Sequence, residues 1–287
     1  MQRNAFSLVE PKRSGVPAKV GIQLQRAFSL VELSIVLVIL GLLTGGILGG
    51  QSLIRAAELR AVNTEYARYS TAINTFRDKY FAYPGDFRDG TRFWGRQIAD
   101  GTCASNAGIA TASTPGVCDG NGDGILNNAA ASTPSETFQS WRQLALAGLI
   151  EGNYTGITGA LNSASGRAGE QYPKSRIGNG AWYLWYWGTT GSNSAESYQG
   201  INYGTALFIG ATTGDNWPNA RLLKPEEAWN LDTKFDDGKP ARGRVIAQFF
   251  STCAVADDGN TVNTNLAASY ALNDSSIRCN LFFTNAF

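Results

Sequence analysis

The chain has 287 residues, 43% of them hydrophobic and only 16% charged, with 24 basic against 23 acidic residues for a net charge of +1. That length holds one or two domains with a sizeable core, and so even a balance gives no general attraction to nucleic acid. Histidine is absent, which removes the Ser-His-Asp triad, the Cys-His pair and every His-containing zinc site; the sequence is read as non-enzymatic.

Residues 1–27 hold Arg3, Lys12, Arg13, Lys19 and Arg26 against Glu10, leaving the remainder mildly acidic. From Leu33 to Ile54 the chain runs 22 residues without a charge, LSIVLVILGLLTGGILGGQSLI. As a helix this spans about 33 Å, enough for the hydrocarbon core of a bilayer. It is longer than a secretory h-region, and no A-x-A cleavage site follows it. Gly41, Gly45, Gly46, Gly49 and Gly50 lie inside it. They suit close helix packing in a membrane or, equally, a stretch that unwinds locally. Basic residues before the span and a cysteine-bearing body after it predict a single-pass inner-membrane protein, N-terminus in the cytoplasm and C-terminus exported.

The pattern then becomes amphipathic. Leu59, Val62, Tyr66, Tyr69, Ile73, Phe76 and Tyr80 recur at steps of three and four and form one stripe. Arg55, Glu58, Arg60, Glu65, Arg68, Arg77 and Asp78 fall on the other faces, and Pro84-Gly85 stops the helix. The prediction is one helix of about fifty residues, with a membrane half over 28–54, an amphipathic half over 55–83 and a globular body over 84–287.

In the body, short strand-like runs alternate with Gly, Asn, Ser and Asp turns. WYLWYW (182–187), TALFIG (205–210) and RVIAQFF (244–250) read as strands. Helices are predicted at 135–149, with Ser135 as N-cap, and from Pro225 to a stop at Asp236-Asp237-Gly238. The aromatics of 182–187 read as half core and half interface rather than as a carbohydrate platform. Cys103, Cys118, Cys253 and Cys279 fit no metal spacing; an even count in an exported body predicts disulfides. Four cysteines allow three pairings, of which the two local ones are favoured.

The sequence DGNGDGILN places Asp119, Asn121, Asp123, Ile125 and Asn127 at alternate positions. Its first half matches D-x-[DN]-x-[DN]-G, whose oxygens wrap Ca²⁺. Asn127 adds an oxygen directly or through water, and Ala130 stands where the usual twelfth-position Glu would be. The loop is a candidate calcium site, against the alternative of an Asx/Gly turn beside a disulfide. Asp232, Asp236 and Asp237 form a second acidic group, read as helix-end and turn residues.

Residues 26–35, RAFSLVELSI, run straight into VLVILGLL. This resembles the class III leader junction of type IV pilins and type II secretion pseudopilins. The resemblance implies removal of 1–27 by a prepilin peptidase between Ala27 and Phe28, N-methylation of Phe28, and an assembly role for Glu32. Ala27 stands where that family usually has Gly. A second AFSLVE, at residues 5–10, leads into Pro11-Lys12-Arg13 and has no apolar helix behind it. FAYPGDF, AGLIEGNYTG and LKPEEAWNLDTKFDDGKPARG are similar, more loosely, to a subgroup of pilin-like proteins. Together these imply an α+β pilin-like fold, a long helix packed on an antiparallel sheet. They imply as partners other pilin or pseudopilin subunits, the prepilin peptidase, the inner membrane and its assembly platform. The function expected is a structural subunit, minor rather than major, of a type IV pilus or secretion pseudopilus, ending in a periplasmic or extracellular filament. The alternative is a filament-tip adhesin or ligand-binding module that uses the calcium loop and exposed aromatics.

Overall fold

The computed structural model describes residues 29–97, 116–126, 135–157, 166–188, 198, 202–214, 217–248, 250–256 and 265–284. The chain divides into two compact units, Met1–Gln51 and Ser52–Phe287. One continuous helix, α1 (Leu30–Tyr80), begins in the first and ends in the second. The remaining elements all belong to the second unit. They are the short α2 (Gly90–Trp94), α3 (Glu136–Leu146), β1 (Gly180–Trp187), β2 (Gly204–Ala211), α4 (Pro225–Phe235), β3 (Val245–Gln248), α5 (Phe250–Cys253), β4 (Ala254–Val255), β5 (Ser269–Tyr270) and β6 (Asn280–Phe283).

The apolar part of α1 has its side chains in the open: Leu30 is 86%, Leu48 68% and Ile54 64% exposed. By length and composition this is a helix able to cross a membrane. The amphipathic part meets its expectation. Val62, Tyr69, Ile73 and Phe76 are buried, and Leu59, Tyr66 and Tyr80 pack partly buried against the same core.

A four-stranded antiparallel sheet in the order β1-β2-β6-β3 faces this stripe. Tyr66 stacks on Phe283 of β6 at 4.4 Å and meets Phe235 of α4 edge-on at 4.9 Å. Tyr69 meets Trp182 of β1 at 5.7 Å and Trp141 of α3 at 5.2 Å. Such aromatic pairs contribute about 0.5–1.5 kcal/mol each beyond the area they bury. On the other sheet face Tyr183, Phe208 and Phe282 pack with Trp217 and Trp187. β1 is therefore covered on both sides, which is why it reads as an unbroken aromatic run.

Two polar contacts reach across the helix–body boundary within the second unit. Glu65 accepts from Trp182 Nε1–H at 2.7 Å, Ser175 Oγ–H at 2.6 Å and Arg176 N–H at 3.0 Å. Arg55 pairs with Glu227 of α4 through two bonds of 2.6 Å. Burial works against the Glu227 carboxylate, but Arg55 and the Lys224 N–H outweigh it and hold its pKa below the usual value. Periodicity assigns Arg55 and Glu65 to the outer faces; the structure corrects this, because both are long enough to reach inward from the flanks of the stripe.

The strand boundaries need two corrections. RVIAQFF pairs only over Val245–Gln248, and Phe250 already lies in α5. The sequence reading contains no β6, although β6 lies between β2 and β3. Cys253 and Cys279 are bridged, the local pairing expected. Cys118 is disulfide-bonded, and Cys103 lies outside the described residues.

Replacing Glu65 with Ala leaves the Trp182 indole and the Arg176 amide without their acceptor. The expected loss is about 2–4 kcal/mol, read by urea unfolding of the detergent-solubilised full chain followed through Trp fluorescence. A loss under about 1 kcal/mol would mean that water replaces the carboxylate freely.

Candidate functional site

At the start of α1, Ser29 Oγ accepts from Val31 N–H at 3.3 Å, and the Glu32 carboxylate accepts from Ser29 N–H at 2.9 Å. Ser29 thus caps the N2 amide while Glu32 reaches back to the N-cap amide, and both bonds satisfy donors that a helix start leaves unpaired. Glu32 thus closes its own helix within the single chain. Ala27 and Phe28 lie outside the described residues.

The second candidate is the loop around Asp119–Asn127, of which Asn127 lies outside the described residues. It is positioned by α3, whose residues from Glu136 to Leu144 are all buried. A helix buried all round must satisfy its polar side chains internally. Gln143 accepts from Gly85 N–H at 2.6 Å, Gln139 accepts from Cys118 N–H at 3.1 Å, and Arg142 donates to the carbonyls of Gly116 and Tyr154 at 2.5 and 2.6 Å. Burial lowers the Arg142 pKa to about 10. These bonds hold the 83–88 turn and the 116–124 loop against each other. Gly120 permits the approach, since a Cβ there would sit 2.4 Å from the Asp86 backbone.

Within the loop the carboxylates divide. Asp119 accepts from Thr91 N–H and Thr91 Oγ1–H, both at 2.7 Å, and so anchors α2. Asp123 accepts from Ile125 N–H at 2.8 Å and from the Asn121 side-chain amide at 2.9 Å, while Asn121 Oδ1 accepts from Asp123 N–H. Asp86 is 3% exposed and sits under three successive amides, those of Gly122, Asp123 and Gly124. Burial nevertheless raises its pKa above the usual carboxylate value. Asp86, Asp123 and Glu136 each offer an oxygen within 4.8 Å of the others. Two ligands on one Ca²⁺ at about 2.4 Å lie no more than about 4.8 Å apart, and the trio keeps within that bound.

Asp86 and Glu136 are the residues that sequence spacing misses. They come from 33 residues upstream of Asp119 and from the first turn of α3; their only signal is the Asp of FAYPGDF and a Glu beside a helix cap.

Asp232, Asp236 and Asp237 also converge. Asp232 is fully buried and accepts from Tyr270 O–H at 2.8 Å and Gly238 N–H at 3.3 Å. Asp236 accepts from the Arg244 and Val245 amides, and Asp237 pairs with Arg242. These are helix-end and turn contacts, as the sequence reading has them. Of the β1 aromatics, Trp182 and Tyr183 are fully buried and Trp185, Tyr186 and Trp187 are half-buried, so this strand offers no open platform.

Residues 22–48 match the family described as the prokaryotic N-terminal methylation motif. No curated protein and no solved structure matches the chain. The matched segment is a class III prepilin leader running into a long apolar helix. Residues 22–48 therefore carry a prepilin-type leader continuous with a helix long and apolar enough to cross a membrane. The motif implies processing by prepilin peptidase and assembly with other pilin subunits.

Burial raises the Asp232 pKa to about 7, with Asp237 and Asp236 adding to the rise and Tyr270 and Gly238 opposing it. The folded state therefore holds this proton more tightly than the unfolded chain, where the pKa is near 3.9. The contribution of Asp232 to stability is fully present below about pH 4, is lost as pH climbs to about 7 and is absent above. Denaturation of Asp232→Asn across that range should lack a decline of order 2–4 kcal/mol that the parent shows; equal slopes would remove the assignment.

Proposed function

We propose that the protein is a structural subunit, and a minor one, of a type IV pilus or type II secretion pseudopilus, polymerised through α1. The observation that carries this reading is the bare apolar part of α1. Its leucines, isoleucines and valines stay exposed on every side, and burying each is worth about 1.5–3 kcal/mol. Lipid satisfies that demand before assembly, and the same helix from other copies satisfies it afterwards. An N-in, C-out orientation follows from the basic residues ahead of the span.

Cleavage between Ala27 and Phe28 creates a new, methylated amine three positions ahead of Val31 and four ahead of Glu32. A carboxylate in an apolar bundle is costly unless neutralised. The Phe28 amine of a neighbouring copy supplies the opposite charge, and the Glu32 carboxylate keeps lone pairs for it beyond the bond from Ser29 N–H. Register between subunits then follows from charge pairing. The body, 84–287, is large for packing in every layer of a thin filament, which favours a minor position. A catalytic role finds no support in a chain without histidine.

The loop carboxylates Asp86, Asp123 and Glu136 would hold a Ca²⁺ that neutralises their mutual repulsion; Asn121, Ile125 and Asn127 are placed by the sequence to add oxygens. The ion's task is structural, joining the 83–88 turn, the loop and α3.

Mass spectrometry of assembled material should find a methylated Phe28 terminus; an intact 1–27 segment in filaments would sink the reading. Glu32→Ala should still insert into the membrane yet fail to enter filaments, and normal incorporation would remove its assembly role. Copy number equal to the main subunit would remove the minor position. For calcium, the solubilised full chain should gain about 2–3 kcal/mol at 100-fold excess over Kd, and Asp123→Ala should abolish that gain. Identical melting in calcium and in chelator would dismiss the ion.

A further inference from the structure

Phe81 follows α1 with φ of 55°, the one non-glycine residue with positive φ among those described. Residues with a Cβ avoid this left-handed region, and glycine enters it freely. Its N–H closes the helix by donating to the Arg77 carbonyl at 2.8 Å, a helix ending that glycine normally supplies. Yet the position holds a phenylalanine whose side chain is 93% exposed. Neither packing nor chain geometry accounts for it, and strain of this kind gathers at ligand sites.

The surroundings supply a ligand surface. Phe93 is 60% exposed and meets Tyr80 edge-on at 5.4 Å. Two open clefts of about 870 and 500 Å³ share Tyr80, Phe81, Phe87 and Asp89 in their linings. Asp89 stands at the N-cap of α2 without capping it. Among the described residues, the side chains of Asp78, Asp89 and Arg92 make no hydrogen bond or ion pair. All three line these clefts, Asp89 both of them.

We propose that this surface binds a glycan, with sugar rings against Phe81 and Phe93 and their hydroxyls held by Asp78, Asp89 and Arg92. A hydroxyl both donates and accepts, a carboxylate only accepts and a guanidinium only donates. A rim of unpaired groups of both kinds around aromatic faces therefore complements a polyol. The linings mix Arg77, Lys79, Arg88 and Arg92 with Asp78, Asp86 and Asp89, so they lack the one-signed basic stripe that tracks a phosphate strand. A peptide that binds as an added strand needs a sheet edge, and these linings come from helix ends and turns.

The test passes the full-length protein, in a detergent without a sugar headgroup, over an array of neutral and uronic-acid oligosaccharides. Single-stranded oligo-dT and a random peptide array run alongside. Glycans should be retained and the other two should not. Phe81→Gly, which suits the left-handed backbone and so keeps the fold, should weaken the best glycan about tenfold or more, as should Asp89→Ala. The proposal falls if no glycan binds at about 1 mM, if DNA or peptide is retained instead, or if both variants bind as the parent does. Binding is read on unassembled protein, so its failure leaves the filament reading standing.

Discussion

One residue before Tyr66 and one turn before Tyr69, which meet Phe283 and Trp182, α1 presents Glu65 to three donors from the Ser175 turn and β1. Bonds to a charged acceptor are individually stronger than neutral ones, about 1.5–3 kcal/mol each. They also have direction, which aromatic packing lacks. The stripe alone would let the helix slide or roll against the sheet by a turn at modest cost. A carboxylate seated on an indole N–H, a hydroxyl and an amide admits one register. Everything downstream inherits it: Trp141 and α3 dock beside Tyr69, Phe235 and α4 beside Tyr66, and α3 in turn seats the acidic loop through Gln139, Arg142 and Gln143.

How much of this is legible beforehand depends on the range of the interaction. Helix periodicity is local, so α1, α3 and α4 stand in the sequence nearly to their ends, Pro225 and the Asp236 stop included. β1 and β2 are legible because long aromatic and aliphatic runs lie between turns. β6 is not, since NLFF is four residues whose strand character comes from partners at 207–209 and 245–248. The acidic site is half legible for the same reason. Asp123 sits in a recognisable spacing, but Asp86 and Glu136 join it only because Gly120 lets the loop lie on the turn. Arg55 and Glu65 show the opposite failure: a helical wheel places them outside, yet long side chains at the edge of a stripe bend inward when a partner waits there.

The two parts of α1 handle polarity by different means. In the amphipathic part, charged groups are spent on the body, Glu65 on β1 and Arg55 on Glu227. In the apolar part a single acid, Glu32, is occupied with the helix's own first turn. An acid that is already bonded within its chain enters lipid at lower cost than a bare one. Among the described residues of the body, Phe81, Phe93 and Trp229 are the exposed aromatics, and Phe81 and Phe93 lie together where α1 ends.

β6 comes last in chain order among the described strands and hydrogen-bonds to both β2 and β3. Until Asn280–Phe283 are in place, β3 has no neighbour in this sheet and the β1-β2 pair has a raw edge. The sheet cannot close progressively as the polypeptide emerges; its keystone arrives last. A chain cut before Asn280 would therefore keep an open, adhesive half-sheet rather than a slightly shortened fold.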